Sequence, residues 1–167
     1  MGNTPDQGRF EISHLRLREA QAPIAACLIK EFANALGWNR ALELATAAIQ
    51  ADAFNAGRRM AEQGIDNTLN GLARLVREVW SKDDAMRVRF LAESERNLAF
   101  DVTRCGYAEL YRTMGILELG YCLSCSRDEP FVQGYNPRIR LVRTQTIMQG
   151  APFCDFRFEL AVTSDHP

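Results

Sequence analysis

The chain has 167 residues, a mass of 18.8 kDa, 20 basic against 21 acidic side chains and a formal net charge of −1. That balance excludes the basic footprint of a nucleic-acid binder, and no uncharged stretch approaches the roughly 20 residues of a bilayer span. At 47% hydrophobic and 25% charged the composition is that of a soluble globular protein, and a chain near this length buries roughly 70% of its unfolded surface without a disulfide or metal staple. No basic-then-apolar leader opens the sequence, so the expected compartment is the cytoplasm and the expected thiol state is reduced.

In chain order, residues 1–22 read as a loose tail followed by a weak helical spacing. From Pro23 the pattern sharpens: Ile24, Leu28, Phe32 and Leu36 recur every four residues, with Pro23 as a helix start and Gly37 as a stop. Asn39 can cap a second helix carrying Leu42, Ala45, Ile49, Ala53 and Met60. Asp66 or Asn67 can cap a third carrying Leu69, Leu72, Val76 and Val79. Residues 23–80 are therefore a helical part whose stripes read as packing surface, or as a surface for pairing with a second copy of the chain.

The period changes near residue 81. Met86, Val88 and Phe90 alternate with Arg87 and Arg89, and Leu98, Phe100 and Val102 alternate with Ala99, Asp101 and Thr103. A polar turn at residues 93–96 makes this a hairpin. Helices are expected over residues 104–113 and 116–131, and strands over 138–148 and 153–162 with a four-residue turn between them. Residues 81–167 thus read as a ββ–αα–ββ unit. The chain as a whole is α+β, with N-terminal helices and a four-stranded antiparallel sheet covered by helices, in one compact domain.

The five cysteines are Cys27, Cys105, Cys122, Cys125 and Cys154. Strand parity puts Cys154, Phe156, Phe158 and Leu160 on one apolar face. A four-residue turn then sets Ile147, Gln145 and Arg143 opposite Cys154, Phe156 and Phe158, on that same face. Cys105 and Glu109 are four apart on one helix, and Cys125 and Asp128 are three apart on the next. The result is a pocket of three thiols, two carboxylates and Arg143. Each cysteine also has a plainer role as a small buried hydrophobe. The mid-helix Cys122-x-x-Cys125 does not suit a thioredoxin-type site. His14 and His166 lie near the termini, which sets aside Cys–His catalysis and His-based zinc sites. Cys105, opening its helix, is placed for the dipole to lower its pKa.

The segments Val102-Thr-Arg-Cys-Gly-Tyr-Ala-Glu-Leu-Tyr111, Glu118-Leu-Gly-Tyr-Cys-Leu-Ser-Cys-Ser-Arg-Asp128, Gly134-Tyr-Asn-Pro-Arg-Ile-Arg-Leu-Val-Arg-Thr-Gln-Thr-Ile-Met-Gln-Gly150 and Cys154-Asp-Phe-Arg-Phe158 resemble the L-2-amino-thiazoline-4-carboxylic acid hydrolase family. The resemblance spans about residues 55–160. It carries over a Cys at Cys105, Cys125 and Cys154 and an acid at Glu109 and Asp128, leaving Cys27 and Cys122 as extras. It implies hydrolytic opening of a small cyclic amidine, with Glu109 or Asp128 as acid/base and a cysteine as nucleophile, Cys125 being the first choice. Arg143 or Arg104 would hold the substrate carboxylate, and Tyr107, Tyr111 and Gln145 would contact the substrate. No cofactor is required on this reading. The alternatives are a site of Cys105, Cys125 and Cys154 with a carboxylate that holds zinc or another divalent metal and activates water, a small-molecule sensing module with a Cys-lined pocket, and a non-catalytic protein whose cysteine cluster is core or a structural metal site. The expected partner is a small molecule, not nucleic acid or membrane.

Overall fold

The structure, a computed structural model, describes residues 12–161. The tail expected over the first residues and the end of the last strand lie outside them.

Helix α1 (His14–Leu36) is capped by Ser13, whose Oγ accepts from the Arg16 amide at 3.4 Å. It starts nine residues before Pro23, which sits inside it; the proline removes one helical N–H but does not end the helix. Gly37, at φ +83°, turns the chain directly into α2 (Trp38–Glu62), so Asn39 lies within α2 rather than capping it. The apolar row Ile24, Leu28, Phe32 and Leu36 does not pack. All four are more than half exposed, while Ala22, Ala26 and Ile29 on another face of α1 are buried. Small side chains let α1 lie close to its neighbours, and the bulky row is left facing outward.

Thr68, rather than Asp66 or Asn67, caps α3 (Leu69–Leu75) by accepting from Gly71 N at 3.1 Å. Asp66 in turn accepts from the Thr68 amide and hydroxyl at 3.1 and 2.7 Å. Leu69, Leu72 and Val76 are fully buried, as their spacing requires.

The sheet has order β1-β2-β4-β3 and every neighbouring pair is antiparallel. Its strands are β1 (Met86–Glu93), β2 (Asn97–Cys105), β3 (Ile139–Val142) and β4 (Cys154–Leu160). Leu98, Phe100, Val102, Cys154, Phe156 and Phe158 are all buried, so period-two alternation identified the inner face. The Phe100 and Phe156 rings stack at 4.9 Å there. The β3–β4 register differs from expectation by two residues. Leu141 faces Phe158, which keeps face parity, but the ladder stops at Val142. Asp155 is the reason: its carboxylate accepts from the amides of Thr144 and Gln145 at 3.0 and 2.8 Å and from the Thr144 hydroxyl at 2.6 Å. These bonds draw the chain out of the sheet, so Arg143 and Gln145 are not strand residues.

Helix α4 (Gly106–Thr113) begins two residues later than expected, with Cys105 as the last residue of β2 and the cap position of α4. The single helix expected over 116–131 is broken. It is a 3₁₀ turn (Leu117–Leu119), α5 (Gly120–Leu123), a second 3₁₀ turn (Cys125–Arg127) and α6 (Asp128–Tyr135). Ser124, at φ −127° and ψ −60°, makes the break. Its hydroxyl is fixed to Tyr111 Oη at 2.8 Å, and Ser126 Oγ donates to the Cys122 carbonyl at 2.6 Å. Helices α2 and α6 pass backbone to backbone through two glycines: a Cβ on Gly57 would strike the Phe131 carbonyl, and one on Gly134 the Phe54 carbonyl. Among the described residues no helix is long and apolar enough to cross a membrane.

Candidate functional site

A cavity of about 600 Å³ lies between α1, α2, the inner face of the sheet and the broken helical segment. Cys105, Cys125, Cys154, Asp128, Tyr107 and Tyr111 line it, and Arg143 completes the polar part of the wall. The bend at Ser124 separates the two cysteines of Cys-x-x-Cys. Cys125 reaches the cavity, whereas Cys122 packs toward α2 and accepts from Thr46 Oγ1 at 3.2 Å.

The three cavity thiols have different settings. Cys105 is buried at the cap position of α4, near the amides of Ala108 and Tyr107 but without a capping hydrogen bond from its side chain. Burial pushes its pKa up, those two amides pull it down, and the net displacement is upward. The helix start therefore moderates the shift but does not reverse it, contrary to the expectation from the dipole alone. Burial and the Asp128 charge push Cys125 well above the ordinary thiol range, against the opposing pull of Arg143. Cys154 is pushed up to about 11 by burial, although its sulfur accepts from Ile147 N at 3.2 Å. All three are thus neutral thiols near pH 7. Asp128 acts electrostatically on all of them.

Asp128 and Arg143 form an ion pair, with side chains 24% and 9% exposed. Burial raises the Asp128 pKa and Arg143 opposes it. Arg143 also donates to the Cys125 carbonyl at 3.0 Å and lies 5.0 Å from the Phe156 ring centroid. Its guanidinium is therefore already committed to protein groups.

Three residues expected in the pocket are elsewhere. Arg104 and Glu109 pair with each other outside the cavity, where Arg104 also donates to the Asp84 carbonyl at 3.0 Å. That cluster pins the Asp83–Asp84 turn, both of whose residues have positive φ, against the start of α4. Gln145 donates to the Phe153 carbonyl at 3.1 Å and braces the loop before β4. Tyr111 reaches the cavity with its hydroxyl bonded to Ser124, and burial raises the pKa of both tyrosines. Among the described residues no group of three His, Cys, Asp or Glu side chains could hold a metal ion, so a zinc site of the three thiols has no donor geometry behind it.

The helical half, expected to carry packing surface or a surface for pairing with a second copy, supplies a polar wall. His14, Arg18 and Gln21 from α1, and Asp52 and Arg59 from α2, line the cavity. The spacing 14, 18, 21 and the pair 52, 59 each follow one helix face, a polar stripe legible in the sequence and overlooked beside the apolar ones. Burial, with the charges of Arg18 and Arg127, lowers the His14 pKa.

A family model described as L-2-amino-thiazoline-4-carboxylic acid hydrolase matches residues 16–158. No curated protein matches the chain. Among solved structures, the phenol-responsive sensory domain of the transcription activator PoxR, crystallised with phenol, has a TM-score of 0.52 at 13% identity, over 81% of this chain and 72% of that one. A trafficking protein particle complex subunit 3 from Naegleria fowleri, covalently bound to palmitic acid, also has a TM-score of 0.52, at 10% identity over 87% of this chain and 96% of that one. At these identities the two structures establish a shared fold.

Proposed function

The chain belongs to the L-2-amino-thiazoline-4-carboxylic acid hydrolase family, and we propose that its cavity opens a small cyclic amidine or related C–N ring by nucleophilic attack of a cysteine. The observation that carries this is the convergence of Cys105, Cys125 and Cys154 with Asp128 on one cavity wall.

Cys105 is the attacking residue on this reading, in place of Cys125. Its sulfur lies at the cap position of a helix, where the nearby Ala108 and Tyr107 amides oppose the upward shift from burial, a setting that favours a developing thiolate. Cys125, lying beside the Asp128 carboxylate, is held further from ionisation. A neutral thiol needs a base, and Asp128 is the carboxylate on that wall. The Cys105 proton passes to Asp128 as sulfur bonds to the amidine carbon. The ring C–N bond then breaks, and the departing nitrogen takes the proton from Asp128. Water gives a proton to Asp128 as its oxygen adds to the thioimidate carbon; the C–S bond then breaks and Asp128 returns that proton to the Cys105 sulfur, restoring thiol and carboxylate. Arg143 holds Asp128 in place. Purified protein incubated with L-2-amino-thiazoline-4-carboxylate and a panel of cyclic amidines, with the opened product read by mass, tests this. Turnover that Cys105→Ser abolishes supports it, and absence of turnover across the panel sinks it.

The shared fold with a phenol-responsive sensory domain favours one second reading, a ligand-sensing module using the same cavity. Saturable thermal stabilisation by a panel compound without turnover would establish it instead.

A further inference from the structure

The cavity wall carries more positive than negative charge. Four arginines line it, Arg18, Arg59, Arg127 and Arg143, against the carboxylates of Asp52 and Asp128. Both carboxylates are taken: Asp52 accepts from Arg127 at 2.7 Å and Asp128 from Arg143. Arg59 is exposed to solvent, which screens it. Arg18 is half-buried, and its only hydrogen bond among the described residues goes to a neutral acceptor, Gln21 Oε1 at 2.6 Å. Among the described residues it makes no ion pair; burial and then the neighbouring Arg127 charge work against its positive form, and the smaller opposing effects of Tyr111, Tyr107 and Asp52 do not reverse this. A guanidinium does not escape this by losing its proton. A half-buried, unneutralised charge beside a like charge is unfavourable unless something anionic covers it.

We propose that Arg18 is the specificity-determining anchor for a ligand carboxylate, holding it from the α1 wall of the cavity, away from the Asp128–Arg143 pair. The ligand class is then a small ring with one carboxylate, its ring facing the thiols and its carboxylate taking the two-pronged guanidinium. This deepens the hydrolase reading by naming the group that recognises the acid. It also replaces Arg143 and Arg104 in that role, since the first is committed to Asp128 and the second lies outside the cavity.

The test uses the full chain, with thiazole-4-carboxylate and benzoate as probes against their carboxamides, read by thermal shift and calorimetry. Wild type is expected to prefer each carboxylate over its amide. Arg18→Gln should weaken carboxylate binding at least tenfold with amide binding unchanged, and Arg18→Lys should lose less. Arg18→Gln should also melt higher than wild type without ligand, because an uncompensated charge is gone. A wild type without carboxylate preference, or an Arg18→Gln protein that keeps it, overturns the assignment. Carboxylate preference lost in Arg18→Gln while wild type turns over no cyclic amidine would keep the anchor and sink the hydrolase reading. Turnover of L-2-amino-thiazoline-4-carboxylate with unchanged KM in Arg18→Gln would do the reverse.

Discussion

The Arg143 guanidinium joins the Asp128 carboxylate to the Cys125 carbonyl, reaching 15 and 18 residues back along the chain. The contact ties the loop after β3 to the start of α6 and fixes the one carboxylate that faces all three cavity thiols. Arg143→Gln leaves Asp128 half-buried without its counter-charge and should destabilise the fold by about 3 kcal/mol in urea unfolding near neutral pH. The sign with pH follows from Asp128. Burial holds its pKa above the ordinary value, and Arg143 opposes that, so the variant's carboxyl rises further. A carboxyl whose folded pKa exceeds its unfolded one favours the folded state at low pH and loses that advantage as pH rises through the folded value. The deficit of the variant should therefore shrink on acidification. In turnover, the acid limb should move to higher pH. A deficit constant with pH would mean that Asp128 does not titrate as stated.

The three thiols separate by substitution. Cys105→Ser should reduce turnover at least 1,000-fold, or about 4 kcal/mol of transition-state stabilisation, whereas Cys125→Ser and Cys154→Ser should keep activity within about tenfold. Turnover in the wild type should rise as Asp128 ionises and then level off while Cys105 is still a thiol, because the proton passes from sulfur to Asp128 within the step. An alkylating reagent at pH 7, read by peptide mapping, should label the exposed Cys27 before any cavity thiol.

Gly57 and Gly134 set the closest approach of α2 to α6. Gly57→Ala places a methyl against the Phe131 carbonyl and Tyr135 amide, both backbone, so relief requires moving a helix. About 3 kcal/mol of destabilisation is expected, with the cavity wall disturbed because Phe131 lines it. A melting temperature within a degree of wild type would contradict this packing.

Asp101 is 3% exposed on β2 and accepts from Arg89 and Arg157, both at 2.8 Å. The Arg89 hydrogen bond, then that of Arg157, holds its pKa below 3.8 despite burial. A depressed carboxylate stabilises the fold fully above its unfolded pKa and loses that contribution as pH falls through the folded value. Asp101→Asn should therefore lower stability at pH 7, and the deficit should shrink as pH falls below the ordinary carboxylate range. Parallel urea curves at pH 7 and pH 3 check it.

The α+β order, the inner face of the sheet and the burial of Leu69, Leu72 and Val76 were legible in the sequence, because period two and helical spacing report which side of an element meets the core. So was the family, through spaced motifs around Cys105, Cys125 and Cys154. Spacing alone misassigned the row Ile24–Leu28–Phe32–Leu36, since a helix can pack on a strip of small residues as well as on large ones, and Ala22 and Ala26 do so here. It could not show that Asp155 would draw the chain out of β3 or that Ser124 would break a helix, because both depend on side-chain bonds to a distant element. Nor could it place His14 and Arg18 in the same cavity as Cys105. Local periodicity determines a residue's face. Which distant residues share a cavity is decided only when α1, the sheet and the broken helix pack together.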